Sequence, residues 1–246
     1  MIYFHEKIKS RLKKEKVAIG LVRYDKTSEK RIYRAAEIAD DFARVLIVDE
    51  EQDTARQLIE LAEKGKVYSA VRGTAGAGSL LRILKKKYDP LRIAVLETPS
   101  KKLFLFSPVG VDEGENLVEK IRLAKASVEI AQKLELNTDI AFLSGGRYED
   151  IGRSDLVDKT LAEAELCAKV TGGTNYEIRL EDAIENDIII APDGISGNLI
   201  FRALCYLGRG IEYGAVFCNV PFRIVDTSRS QSAEGFARAI ALAVVL

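Results

Sequence analysis

The chain has 246 residues, 47% of them apolar and 30% charged, which suits one large domain or two modest lobes with real cores and excludes a disordered segment. Lys plus Arg and Asp plus Glu both number 37, so no net field points to nucleic acid or to an anionic membrane surface. A single histidine, His5, leaves little room for a Ser-His-Asp or Cys-His triad or a multi-histidine metal site. Arginine, serine, carboxylates and backbone amides remain as the groups for chemistry.

No apolar run approaches the roughly 20 residues that span a bilayer. The start MIYFHEKIKSRLKKEK has no signal-peptide core, so a cytoplasmic location is expected, with this basic stretch as a solvated helix. Cys167, Cys205 and Cys218 form no CxxC pair and read as reduced, buried thiols.

Short β-branched runs then alternate with amphipathic stretches, the pattern of a mostly parallel sheet covered by helices. Val17 to Val22 reads as the first strand, followed by a helix from Ser28 with Ile32, Ala35, Ala39 and Phe42 on one face. Val45 to Val48 is a second strand, and Asp53 is placed to cap a helix that Gly65 ends. Val67 to Val71, a helix over Ser79 to Lys87, and Ile93 to Glu97 close a first set. After Thr98-Pro99-Ser100, Leu103 to Phe106 opens a second set, with a long helix from Asn116 to Leu134. Ile140 to Ser144, Ile188 to Ala191 and Ala215 to Cys218 are further strands. Helices are expected near Asp155 to Lys169, Asn198 to Leu207, and from Ser232 to the end.

Four segments place glycine, serine or arginine directly after a strand, where α/β sheets bind ligands. Arg72-Gly73-Thr74-Ala75-Gly76-Ala77-Gly78-Ser79 runs GxxGxG, which is neither the dinucleotide order nor a P-loop, and a structural turn fits it equally well. Arg82 stands one turn further on. Ser144-Gly145-Gly146-Arg147 offers backbone amides and a charge to an anion, though a tight turn with a surface arginine reads the same way. Ala191-Pro192-Asp193-Gly194-Ile195-Ser196-Gly197-Asn198 is a sharp turn with Asn198 as a cap for the next helix. Within it Asp193 can bond backbone or substrate, and Gly197 permits close approach. Thr227-Ser228-Arg229 offers a hydroxyl, a guanidinium fork and free amides ahead of the last helix. Jointly the four segments point to one phosphate-like, small-molecule anionic ligand.

AFLSGGR followed by SDLVDKTLAEAE, then IIIAPDGISGNLIFRAL, then PFRIVDTSRSQS resemble three ordered motifs of the phosphate acetyl- and butyryltransferases. The resemblance runs from the first strand to the C-terminus. This short, histidine-poor chain is similar to an archaeal branch of that superfamily labelled as a methyltransferase subunit X. The resemblance implies a two-lobed, three-layer α/β/α fold of the isocitrate/isopropylmalate dehydrogenase type. The first lobe would hold residues 1–101 plus 220–246 and the second residues 102–219. It also implies a phosphate and coenzyme A site in the cleft between the lobes, no tightly bound cofactor, and a homodimer through second-lobe helices.

Residue by residue, Arg229 matches the family arginine that stabilises the reacting acyl phosphate, Ser228 its neighbouring hydroxyl, and Arg82 a substrate-binding arginine. Asp193, Gly197 and Asn198 match the family's Pro-Asp…Gly-Asn turn, and Ser144 begins the loop that continues through Gly145, Gly146 and Arg147. The chain departs from the pattern where the acetyltransferases carry an aspartate as base toward the thiol. Gly235 stands there, with Glu234 beside it as the substitute base. The family's His-Ser-Thr is replaced by Gly76-Ala77-Gly78, and the chain is shorter than typical members. Three functions fit: acyl transfer between coenzyme A and phosphate, a subunit associated with methyl transfer in methanogen-type one-carbon metabolism, and a ligand-binding regulator without turnover.

Overall fold

The computed structural model describes residues 2–49 and 53–246. In chain order it begins with helix α1 (Glu6–Lys9), β1 (Glu15–Gly20), α2 (Ser28–Ala39), β2 (Ala43–Val48), α3 (Thr54–Glu63), β3 (Ser69–Val71) and α4 (Ala77–Lys87). The middle of the chain supplies β4 (Leu91–Glu97), β5 (Leu103–Ser107), α5 (Leu117–Lys133), β6 (Ile140–Phe142) and α6 (Asp155–Thr171). There follow β7 (Thr174–Asn175), α7 (Leu180–Ala183), β8 (Ile188–Ile190) and α8 (Gly194–Arg202), and the chain ends with β9 (Ile211–Cys218), β10 (Arg223–Asp226) and α9 (Ala233–Val245).

These elements form two compact units, residues 1–91 with 212–246, and residues 92–211. Both boundaries fall earlier than the 101/102 and 219/220 expected from sequence. Beyond Leu91, β4 pairs antiparallel with Leu103–Ser107 and goes with the second unit, while β9 from Glu212 onward pairs with β10 and goes with the first.

In the first unit the strand order is β2-β1-β3-β10-β9, parallel except where β9 meets β10. Val17 lies opposite both Val45 and Ser69, and Ile224 opposite Ala70. The period-2 alternation of the strands sends Ala18, Ala70 and Ile224 to the face covered by Leu58 and Ile59 of α3 and Leu80 and Leu84 of α4. On the other face α9 packs against α2 and against β1, β3 and β10. From Gly235 to Val245 every residue of α9 except Arg238 is buried, as befits a helix apolar all round. At the N-terminus α1 is a single turn that buries Ile8, and Phe4 meets Phe42 edge-on rather than lying in solvent.

In the second unit the order is β4-β5-β8-β6-β7, with β4 and β5 buried along their whole length. Helix α5 packs on β5 and β8, α6 on β6 and β7, and α8 on β5. Lys120 of α5 and Glu163 of α6 join across that helix pair, which lets the buried ammonium keep a partner.

Two expected helix starts are displaced. The helix expected from Asn198 begins four residues earlier, at Gly194, because the Asp193 carboxylate accepts the Ser196 backbone N–H at 2.8 Å and the Ser196 hydroxyl at 2.9 Å. Asn198 is therefore not the cap: it lies inside α8 and donates its side-chain amide to the Val109 carbonyl at 2.8 Å. The helix expected from Ser79 begins at Ala77, with Gly76 as its N-cap. Beyond α8 the chain makes a π-helical turn over Ala203–Leu207. Strands β7 and β10 were not expected, being short runs set among turn residues. Of the three thiols only Cys167 is buried, its pKa pushed up to about 11 by burial; Cys205 and Cys218 are half-buried. No helix among the described residues is long and apolar enough to cross a membrane.

The glycines of α8 are set by packing. A Cβ at Gly197 would lie 2.0 Å from the Pro108 carbonyl oxygen, and one at Gly194 1.8 Å from that of Gly110. Helix propensity alone favours Gly197→Ala by about 1 kcal/mol. The backbone clash opposes it, and a net loss of ~1–3 kcal/mol is expected in a denaturant titration. A stabilised variant would show that α8 has room to move away from the 108–110 loop.

Candidate functional site

The glycine-rich turn after β3 and the Ser-Arg turn after β10 meet in the first unit. Gly73 has φ +61°, and a Cβ there would lie 2.1 Å from the Gly20 carbonyl oxygen, so the turn crosses directly over the end of β1. The Thr74 hydroxyl clamps the crossing: it accepts the Val22 N–H at 2.7 Å and donates to the Val22 carbonyl at 2.9 Å. Arg72, buried, pairs with Asp226 and donates to the Ala75 carbonyl. The Thr227 hydroxyl donates to the Gly73 carbonyl at 3.0 Å, and Asp226 accepts the Thr227 N–H at 3.0 Å.

These bonds lead the chain into Ser228 and Arg229, and they set the Arg229 guanidinium beside the start of α4. Arg229 is exposed, and its Nη2 lies where a Cβ on Gly76 would be 3.4 Å away. Its guanidinium stands 5.1 Å from the Tyr24 ring centroid, and its carbonyl accepts the Tyr24 hydroxyl at 2.7 Å. Arg31 donates to the Tyr24 hydroxyl at 2.7 Å and to the Gln231 carbonyl at 2.8 Å, pinning the far side of the turn. The Ser228 and Ser230 hydroxyls are 3.0 Å apart. No side chain caps α4, and the guanidinium that stands at its N-terminal Gly76 is that of Arg229. Arg82 and Ser79 are both exposed three residues apart on α4, hence on one face.

The carboxylates near this turn differ. Glu234 is exposed in the first turn of α9, and its own backbone N–H and the Ser232 hydroxyl hold its carboxyl below the usual range. A side chain at Gly235 would meet Gln231, whose Oε1 lies 2.2 Å from the Cβ position. Glu212 on β9, which the sequence reading passed over, is 6% exposed, and its Oε2 has no hydrogen-bond partner. Burial pushes its carboxyl up to about 7, with Asp226 adding to the rise while Arg238, the Ser228 backbone amide and Arg72 oppose it. No motif marks it; alternation along IEYGAVFC was its only signal, placing it on one face with the apolar residue Val216.

The other two motifs meet in the second unit, where their polar groups turn to the backbone. The buried Ser144 hydroxyl donates to the Gly146 carbonyl at 2.9 Å, and the Gly145 N–H donates to Thr160 Oγ1 at 2.9 Å. Gly146 lies against Val157, which a Cβ would meet at 2.6 Å, and Arg147 is exposed, 3.6 Å from Glu149. Gly197 gives its close approach to the Pro108 backbone. Between the 144 loop and α8 lies an open pocket of about 320 Å³ lined by Leu143, Ile178, Leu180 and Ile200, with Ser144 and Ser196 at its edge. Its chemistry suits an apolar group. Among the described residues no cluster of three or more His, Cys, Asp or Glu is placed to hold a metal ion.

No family model matches the chain. It is 40% identical over 216 residues to the "Putative methyltransferase mtx subunit X" of Methanosarcina barkeri, covering 84% of this chain and 79% of that protein. The protein of the same description from Methanosarcina acetivorans is 41% identical over 210 residues, covering 82% and 74%. An "Uncharacterized methyltransferase" of Methanocaldococcus jannaschii is 33% identical over 204 residues, covering 76% and 83%. Among solved structures, a branched-chain phosphotransacylase from Enterococcus faecalis V583 superposes with a TM-score of 0.71 at 18% identity, covering 93% of this chain and 98% of that one. A phosphotransacetylase from Streptococcus pyogenes gives 0.68 at 13% identity, covering 97% and 96%. These two likenesses establish the fold.

Glu212 makes stability depend on pH. Its carboxyl ionises near 4.5 when unfolded and near 7 when folded, so the stability present below about 4.5 is lost as pH rises through 7. Glu212→Gln removes that loss. Relative to the wild type the variant should gain stability between pH 5 and pH 8, by ~3 kcal/mol at most, in paired denaturant titrations. Equal differences at both pH values would mean that the carboxyl is ionised throughout.

Proposed function

The chain belongs to the "Putative methyltransferase mtx subunit X" family and has the phosphotransacylase fold, and from that premise we propose that its Ser228-Arg229 turn binds the oxyanion of a phosphate, an acyl phosphate or a coenzyme A-type ligand. The observation that carries this reading is the Arg229 guanidinium lying on Gly76, at the uncapped N-terminus of α4. A guanidinium beside uncapped helix amides makes a charge-assisted oxyanion site, and the Ser228 hydroxyl next in the chain offers a further donor. Arg82, on the exposed face of α4, supplies a second cation for a ligand larger than one phosphate.

If the ligand is an acyl phosphate, a thiol adds to the acyl carbon, the carbonyl becomes a tetrahedral oxyanion, and phosphate leaves as it collapses. Arg229 and the α4 amides stabilise that oxyanion. The thiol proton needs an acceptor, and this chain has glycine at 235 and an exposed, readily ionised Glu234 beside it. A positioned base is worth typically ~10²–10⁴-fold in rate. We therefore propose binding with weak acyl transfer. The names of the relatives favour a second reading, a subunit associated with methyl transfer in which the same site holds an anionic ligand without turning it over. We further propose a cytoplasmic homodimer formed through α5 and α6, which expose Val118, Leu156, Leu166 and Val170.

Arg229→Ala should weaken phosphate or sulfate binding roughly 10-fold to 150-fold, measured by calorimetry, since a hydrogen bond to a charged group contributes about 1.5–3 kcal/mol. Unchanged affinity would remove the site. Acetyl phosphate with coenzyme A should turn over slowly or not at all. Brisk wild-type turnover that survives Glu234→Ala would show that another group accepts the proton. Sedimentation as a monomer at micromolar concentration would overturn the dimer.

A further inference from the structure

Among the described residues, Glu212 is the one carboxylate of the first unit that combines burial with an oxygen left without a hydrogen-bond partner. Its neighbours tie it to the proposed anion site. The Ser228 backbone amide reaches its carboxylate, and Ser228 and Arg229 are the turn that faces α4. The charged groups that face it are Arg238 from α9, Asp226 from β10 and Arg72 from the glycine-rich turn. Arg72 is already engaged by Asp226 and by the Ala75 carbonyl, and Arg238 Nε is directed to the Glu212 backbone carbonyl at 3.4 Å. An oxyanion on the exposed side of the turn and an ionised Glu212 on its buried side would be like charges joined through the Ser228 peptide, and the buried one is out of reach of water. The carboxyl has an outlet: Oε2, without a hydrogen-bond partner, can take a proton.

We infer that oxyanion binding at the Ser228-Arg229 turn is coupled to uptake of one proton from solvent by Glu212. This rests on the anion site proposed above and adds its regulation: the ligand enters with a proton, and Glu212 acts as a positioning residue through Ser228 rather than as a group that touches ligand. Linkage makes the effect reciprocal, so a bound anion raises the proton affinity of Glu212 and a rise in pH expels the anion. Burial already pushes the free carboxyl up to about 7, which puts the coupling where a change in pH near neutrality reads out. His5 is the only histidine, and its backbone N–H donates to the Tyr213 hydroxyl, next to Glu212 on β9. Any contribution from His5 would persist in a Glu212 variant.

Sulfate is the probe, because its own charge is constant between pH 6 and 9. Calorimetry of sulfate binding to the full chain, in buffers of different ionisation enthalpy, counts the protons taken up without any variant. Uptake of a fraction of a proton at pH 7, rising toward one at pH 8, is expected. Affinity should fall as pH rises above 7, by up to about tenfold per pH unit, the limit for one coupled proton. Glu212→Gln should bind sulfate at every pH as tightly as the wild type does at pH 6, with no proton uptake, and Arg229→Ala should weaken binding at every pH and so locate the ion. Sulfate that binds with no uptake and a flat profile, or a Glu212→Gln profile as steep as the wild type, overturns the coupling while leaving the site standing. No sulfate binding at any pH overturns the site and the coupling together.

Discussion

The buried pair between Arg72 and Asp226 is the interaction on which the first unit's site depends. It joins residues 154 apart in sequence, one at the exit of β3 and the other at the end of β10. Parallel pairing of those strands brings the two ends to the same edge, and the ion pair then fixes how the turns leave it. Breaking such a pair by removing one partner costs about 3–5 kcal/mol, because the survivor is left charged in a poorly solvating place. Thr74 and Thr227 add their hydroxyls on either side, so Arg229 is held by a framework that needs no ligand to form. Preorganisation of this kind is what makes an oxyanion site effective.

The second unit uses similar residues differently. Asp193, Asn198 and Ser144 all bond backbone groups, and Gly194 and Gly197 are small because carbonyl oxygens of the 108–110 loop occupy the space. What these bonds leave open is an apolar pocket beside the 144 loop. A motif shared with an enzyme family can thus be kept by folding as well as by chemistry, and the two reasons are told apart only by where each polar atom points.

The contrast between Glu234 and Glu212 follows from the same rule. Glu234 sits next to the position where a base is expected, yet the start of a helix and open solvent keep it ionised. Glu212 is nowhere near that position in sequence, and burial pushes its carboxyl up to about 7. Proximity in sequence selects the first; environment selects the second.

The sequence by itself determined the class of fold, the order of most strands and helices, and the identity of the four turns, because periodicity and turn chemistry act over a few residues. It also carried the resemblance to the phosphotransacylases through ordered short motifs. Tertiary structure alone decided that the turns associate two and two, the glycine-rich turn with Ser228-Arg229 in one unit and the 144 loop with α8 in the other. It decided that Asp193 rather than Asn198 caps α8, since capping depends on which side chain reaches a free amide. It decided as well that an unremarkable glutamate in an alternating strand lies beneath the site with an unpartnered oxygen. Burial and the partners of a charge are sums over distant parts of the chain, and no local window of residues contains them.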